Sequence, residues 1–495
     1  MHTQQTDSII MESVRLAERW QTRANLLLTR DEKAHQARMQ RLLSHPRDKI
    51  ILAKLLDQSF RATDHARVAD QIVFVLKSFG IPDFFSWKDR WLARLFLWIR
   101  GRPAEWTVPK MIETMREESS RAIIPGEPDR LGAYLEKRRD EGARTNVNVL
   151  GEAVLGEKEA GRRLAQYIET LRSPDVECIS VKVSTIYSQI HPIAHEHSVA
   201  VLKERLSTLY RIARDTAFIG RDGARAPKLV NLDMEEYRDL ETTLEAFTQT
   251  LEQDDLLGYS AGIVLQAYLP ESGSIQRRLT EWARRRVERG GGPIRVRIVK
   301  GANMEMELLE AALHNWPLAP YDNKRDVDAN YKRLVNFGMQ QENIRAVHLG
   351  IASHNLFELA YARKVAERNG VTEGFTFEML EGMADHVRRA IQEITGGVLV
   401  YAPVAGRKEF INGIAYLIRR LDENTSEENF LRYIPRLRTD SKEWAFLKNQ
   451  FVASWDHRDK VSDRPHRSQN RLTESFNEPR GTYWDGELVN EPDTD

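Results

Sequence analysis

GIVLQAYLPESGSIQRRLTEWARRRVERGGGPIRVRIVKGA, residues 262–302, holds the alternation that decides the fold. Two short β-branched runs, Gly262–Tyr268 and Ile294–Val299, flank an amphipathic stretch of helix length. Runs of the same texture recur on both sides, at Val147–Leu150, Ile179–Val183, Leu229–Leu232, Ala346–Ile351, Phe375–Met379 and Val398–Tyr401. Repeated strand-then-helix order implies a parallel sheet, and eight such units fit a closed (β/α)8, TIM-like barrel better than an open one. An open doubly wound sheet would carry G-x-G-x-x-G after a strand, and none of the runs is followed by it. Gly290-Gly291-Gly292 precedes a strand and reads as a plain turn.

Outward from the barrel, which spans residues 141–440 on this reading, the pattern becomes purely helical upstream. Leu16, Trp20, Leu26, Leu27 and Leu28 recur at helical spacing among charged residues, so 1–60 reads as a helical arm. Residues 61–140 read as a small helical domain broken by Gly80-Ile81-Pro82 and Gly101-Arg102-Pro103. Within it, Phe84–Ile99 joins Phe, Trp and Leu to Lys88, Arg90 and Arg94. One face of that helix could enter a membrane surface, although packing against neighbours needs the same stripe. Residues 441–495 are rich in Ser, Asp, Arg and Asn and read as a linker or strap.

The 495-residue chain balances 73 basic against 73 acidic residues, so there is no global field to recruit nucleic acid, and charged ligands must be gripped locally. Cys178 is the single cysteine, which excludes an intrachain disulfide framework and a cysteine metal cluster and fits a reducing, cytoplasmic setting. The amino terminus lacks a signal-peptide pattern, and no run of about 18 apolar residues occurs, so neither export nor a spanning helix is expected.

Chemistry in a barrel of this kind sits where the strands end. The runs deliver Glu152, Lys182, Asp233, Gln266, Arg297 with Lys300, Ser353-His354-Asn355, Glu378 and Tyr401 to that rim. Arg297 and Lys300 put two cations near one spot, which suits an anion or an electron-rich ring, and Gly301-Ala302 allow close approach to the backbone. Arg419 and Arg420 sit in AYLIRRLDEN with apolar residues on both sides, and arginine matches a carboxylate bidentately. Three alternatives stay open. Lys182 or Lys300 could form a Schiff base with a carbonyl substrate, His191, His195 and His197 could hold a metal, or the barrel could be a cofactor-less scaffold.

Read as a set, LGEA (150–153), SVKVS (180–184), NLDMEE (231–236), VLQAYL (264–269), VRIVKGA (296–302), ASHN (352–355), YAPV (401–404) and LIRRLDEN (417–424) resemble the proline dehydrogenase module of proline utilization A. That bacterial protein joins it to an L-glutamate gamma-semialdehyde dehydrogenase. The resemblance implies non-covalent FAD, contacted by Gln266, Arg297, Lys300, Lys324, Ser353, His354, Asn355, Glu378 and Glu423, with backbone help from Val299, Gly301 and Ala302. It implies that Lys182, Arg419 and Arg420 pair with the carboxylate of L-proline, that Leu380 and Tyr401 pack on its ring, and that Asp233 and Glu152 orient the cations, Glu152 toward Arg419. It further implies a product, 1-pyrroline-5-carboxylate, a membrane quinone as electron acceptor, and peripheral membrane contact. The closing NEPDTD resembles the start of the aldehyde dehydrogenase module, which is otherwise absent from this sequence. The chain departs from the family's pattern at Asn303-Met304, where Tyr-Trp is usual, at Asn148 for a common Asp, and at Glu381 for a common His.

Overall fold

The computed structural model describes residues 2–468, apart from 61, 63, 152–153, 221–222, 408, 411–412, 414–415, 418–419 and 421–425, together with 482–484 and 487–489. Eight parallel strands form the barrel: β1 Arg144–Val149, β2 Cys178–Lys182, β3 Leu229–Asp233, β4 Gly262–Gln266, β5 Ile294–Val299, β6 Val347–Ala352, β7 Phe375–Leu380 and β8 Leu399–Ala405. They lie in sequence order, and β8 pairs back on β1 with Val147 opposite Ala402, which closes the sheet. Closure leaves no face in water, so Ile179, Val181, Val230, Leu232, Ile263, Val296, Ile298, Leu349 and Ile351 are all buried. The eight sequence runs fall on these eight strands. β8 extends four residues past the expected Tyr401 because Pro403 withdraws only its own N–H from the ladder and still stands opposite Asn148. A two-residue strand, Ile124–Pro125, pairs beside Val404–Ala405.

The chain divides into two compact units, residues 1–18, 153–379 and 445–495 in one, and residues 19–152 and 380–444 in the other. In the first, helices alternate with strands: Ser272–Glu288 joins β4 to β5, Lys324–Gly338 precedes β6, and Leu356–Arg368 follows it. The stretch past 440 opens with a helix, Lys442–His457, and not with a linker. Its Leu447, Phe451 and Trp455 recur at helical spacing and are buried, with Phe451 stacked on Phe357 at 5.5 Å between ring centroids.

The second unit is helical apart from β1, β8 and their short neighbour. Helices His65–Phe79, Trp87–Trp98 and Ala104–Ser119 bury Val68, Ile72, Phe96 and Val108 with Phe60 and Phe410 in one cluster. Gly80 ends the first of them at φ 89°, a conformation that favours glycine. No helix among the described residues is long and apolar enough to cross a membrane.

Candidate active site

Side chains on alternate strand positions meet inside a barrel. β3 and β5 therefore aim Asp233, Arg295 and Arg297 at the Glu378 of β7. Arg297, 5 % exposed, donates from Nη1 to Asp233 at 2.8 Å and from Nε to Glu378 at 2.5 Å. Arg295 Nη2 takes the other Glu378 oxygen at 3.0 Å. Space for that carboxylate comes from Gly350 on β6, where a Cβ would stand 2.1 Å from Glu378 Oε1. Burial alone would raise the Glu378 carboxyl, but the Arg297 and Arg295 charges outweigh it and hold its pKa below the ordinary carboxylate value. Asp233 also accepts from Ser180 Oγ at 3.0 Å and Asn231 Nδ2 at 3.1 Å. Lys182, at the end of β2, donates to Glu235 at 2.5 Å. Among the described residues three cations thus meet three carboxylates within hydrogen-bond distance.

Gln266 ends β4. Its Nε2 donates to the carbonyls of Met234 and Glu235 and to the Tyr268 hydroxyl, each at 3.2 Å. Its Oε1 is buried and has no hydrogen-bond partner. Past β5, Gly301 turns at φ +119° against the Tyr268 ring, where a Cβ would come within 2.5 Å of a ring carbon. A side chain is excluded there twice over, by conformation and by space.

A second charged cluster lies beyond Lys300. Lys300 Nζ donates to Asp328 at 2.5 Å and to Glu358 at 3.4 Å, Lys324 also bonds Asp328, and the fully buried Lys332 bonds Glu358 at 2.8 Å and Ser454 Oγ at 2.8 Å. Among the described residues three lysines face two carboxylates, and burial lowers the pKa of the fully enclosed Lys332. Burial would raise the Asp328 carboxyl, but the three lysines hold it well below its ordinary range. Burial would lower the Lys300 ammonium, but Asp328 and Glu358 raise it instead. A lysine kept protonated is a poor Schiff-base nucleophile, which weighs against that role for Lys300.

Just past β6, Ser353 donates its N–H to the Glu378 carbonyl at 3.2 Å, and His354 is buried. Asn355 Oδ1 accepts from Phe357 N at 3.0 Å and caps the helix Leu356–Arg368. Leu380 and Tyr401 belong to the second unit, at the end of β7 and within β8, and are partly exposed. In the same unit Arg420 lies over the Tyr416 ring at 5.2 Å. Glu381, the departure from the family's histidine, is buried there and accepts from Arg138 Nε at 3.0 Å. Glu152, Arg419 and Glu423 lie outside the described residues.

Of the sequence-expected set, Lys182, Asp233, Gln266, Arg297, Lys300, Lys324 and Glu378 come together in these networks. Both oxygens of Glu378 are engaged by arginines, which makes it the support of Arg297. The sequence reading missed Glu235, Arg295, Asp328, Lys332 and Glu358. Lys324, Asp328 and Lys332 follow at intervals of four on one helix, a spacing that puts them in a row and could have been read in advance. Glu358 reaches them only through the fold. The histidine loop takes another part: His195 Nε2 meets Glu245 at 2.6 Å, and among the described residues no group of three His, Cys, Asp or Glu could hold a metal.

A closed parallel barrel with charged side chains inside it and near the carboxyl ends of its strands has the architecture of a barrel enzyme. The proline dehydrogenase family model matches residues 132–433, more than half of the chain, and the chain belongs to that family. Proline dehydrogenase 1 of Bacillus subtilis (strain 168) is 23 % identical over 291 residues, covering 58 % of this chain and 80 % of that one. Among solved structures, proline utilization A from Corynebacterium freiburgense is 37 % identical with a TM-score of 0.64, over 74 % of this chain and 35 % of that one. Proline utilization A from Bdellovibrio bacteriovorus, inactivated by N-propargylglycine, is 27 % identical with a TM-score of 0.72, over 96 % of this chain and 46 % of that one. The chain thus spans less than half the length of either protein.

Proposed function

We propose that this chain oxidises L-proline to 1-pyrroline-5-carboxylate with FAD as cofactor and a quinone as final electron acceptor. The observation that carries the reading is the Arg297 network in a chain of this family: a buried guanidinium fixed on two sides beside a row of polar strand ends. The residues fit FAD on two counts. Gln266 Oε1 is a buried acceptor that asks for a donor such as a flavin ring N–H, and the cluster around Asp328 offers phosphate two partly exposed ammonium groups, Lys300 and Lys324. When bound, FAD supplies the acceptor, flavin N5, for a hydride from the ring carbon next to the proline nitrogen.

The chain's own residues position and stabilise. Arg297, locked by Asp233 and Glu378, holds positive charge where a reduced ring would gain negative charge, with no reorganisation needed. Lys300, Lys324, Ser353, His354, Asn355 and Glu423 hold the rest of the cofactor, with the backbone of Val299, Gly301 and Ala302. Lys182, Arg419 and Arg420 grip the proline carboxylate. Lys182 is already paired with Glu235, so most of the counter-charge must come from the two arginines. Leu380 and Tyr401 pack on the substrate ring, and Glu152 orients Arg419. The proline amine loses its proton before the carbon–hydrogen bond breaks, and solvent takes that proton. In this reading the arm, the small helical domain, the barrel and the tail after 440 are four parts of one chain that serve the barrel. Trp87, Trp91 and Trp98, exposed on the helix Trp87–Trp98, give a surface for peripheral contact with the membrane that carries the quinone.

Adding L-proline to the chain loaded with FAD should bleach the flavin spectrum. A preparation that takes up no FAD, or one whose spectrum proline leaves unchanged, overturns the reading. Vesicle binding that survives replacement of Trp91 and Trp98 would remove the membrane surface alone.

A further inference from the structure

The loops after β2, β3 and β5 enclose a cavity of about 250 Å3. It adjoins the polar mouth through a single turn of chain. The carbonyls of Met234 and Glu235 hold Gln266, the Glu235 carboxylate holds Lys182, and the next two residues, Glu236 and Tyr237, line the cavity.

One wall is Arg467, 6 % exposed. Its guanidinium sits 5.3 Å from the Tyr237 ring centroid and 5.1 Å from that of Trp316, and its Nε donates to the Pro317 carbonyl at 2.8 Å. Its Nη2 is buried and meets no acceptor among the described residues. An unmet buried donor is costly, so the site favours anything that brings an oxygen to it. His314 stacks on Trp316 at 4.5 Å, and Ile190, Pro192 and Met306 supply apolar wall.

The charges around the cavity decide what kind of oxygen. Arg238 is paired with Glu236 at 2.6 Å, Glu310 lies 3.5 Å from His314, and Arg467 has Glu307 and Glu310 as its electrostatic counterparts. Burial raises the Glu307 carboxyl above its ordinary pKa. Among the described residues no cation is left in excess for a carboxylate or phosphate to neutralise, whereas a carbonyl oxygen needs only the donor. Aromatic surfaces and apolar walls suit a flat ring. Two of the lining residues, Ile193 and Met306, are exposed apolar side chains, so a hydrocarbon tail has surface to follow.

We propose that this cavity is a ligand site separate from the proline site, and that it takes a neutral planar ring bearing a carbonyl oxygen and an apolar tail, the chemistry of a quinone. The choice of a quinone rests on the function proposed above; the cavity, its donor and its walls do not.

The test uses the FAD-loaded chain and the decyl derivative of 2,3-dimethoxy-5-methyl-1,4-benzoquinone, with binding read by calorimetry and by quenching of tryptophan fluorescence. Binding should weaken roughly tenfold in Arg467→Met, which keeps an apolar stem between the rings but removes the donors. It should be abolished in Met306→Trp, a half-exposed position where a larger side chain fills the cavity without loading the core. An unchanged thermal midpoint in Met306→Trp keeps folding out of the result. Saturating tetrahydrofuran-2-carboxylate, a proline analogue whose ring oxygen replaces the amine needed for oxidation, should leave the wild-type affinity unchanged, and benzoate should fail to displace the probe. The proposal is overturned if the wild type does not bind the probe, if neither variant weakens binding, if the proline analogue displaces the probe, or if benzoate does. Should proline fail to bleach the flavin while probe binding is still lost in Met306→Trp, the function proposed above fails and this site stands.

Discussion

The Arg297 network and the lysine cluster around Asp328 lie in the same compact unit and use the same kinds of side chain, yet they close differently. Around Arg297 the described cations and carboxylates are equal in number, and Asp233 and Glu378 take defined hydrogen bonds from it. Around Asp328 the described lysines outnumber the carboxylates by one. A neutral buried network fixes geometry and has little pull on an incoming anion, while an unbalanced one keeps charge in reserve for a ligand. The first is suited to holding a group still, the second to drawing one in.

The largest expected effect comes from breaking the balanced network. Glu378→Gln leaves Arg295 and Arg297 facing each other in the barrel with no carboxylate between them, and should cost about 3–5 kcal/mol of stability. A chemical denaturation midpoint equal to wild type would erase the contrast between the two clusters. Next, if the neutral network has no charge to lend the substrate, Arg420→Met should raise the KM for proline by roughly 30-fold or more while FAD stays bound, the loss of a charge-assisted pair being worth about 2 kcal/mol. An unchanged KM would place the carboxylate on Lys182 and reopen the question of how that network is balanced.

Lys324→Met should act in the opposite sense to Glu378→Gln, with little change in stability and about tenfold weaker FAD binding, measured by equilibrium dialysis. Lys324 is partly exposed and its removal leaves two described lysines for two carboxylates, so a large loss of stability would show that it is structural after all.

The smallest effect is in pH. The Glu378 carboxyl is depressed in the folded protein, so its stabilisation is complete above the ordinary carboxylate range and is lost as pH falls through the depressed folded value. The stability gap between wild type and Glu378→Gln should therefore hold from about pH 7 to 5 and narrow below about 4. A gap that narrows between pH 7 and 5 would mean the carboxyl is not depressed.

Much of this was legible in the sequence, and the gaps have physical causes. The barrel could be counted because fully buried parallel strands read as β-branched runs, Ile179–Val183 and Ile294–Val299 among them. Strand ends could be read by position alone, which is how Lys182, Asp233, Gln266 and Arg297 were found. What supports them could not. Glu378 was legible as a polar residue near a strand end, but its bond to Arg297 exists only once β5 and β7 face each other across the barrel. Glu358 meets Lys332 from another helix in the same way. The helix Lys442–His457 was hidden by the polar composition of the tail around it, although Trp444, Leu447, Phe451 and Trp455 carry its period. Arg467, deep in that polar tail, gave no sign that it would be buried between two rings.

That late helix also sets where the catalytic unit can be cut. Ser454 receives Lys332, Phe451 covers Phe357, and further on Val461 and Ser462 accept from Arg333 and Tyr321. A fragment trimmed at 433, where the family match stops, would bare an aromatic face and leave a buried ammonium short of an acceptor. For anyone moving this barrel into another protein, the portable piece carries its own cork and runs past residue 467.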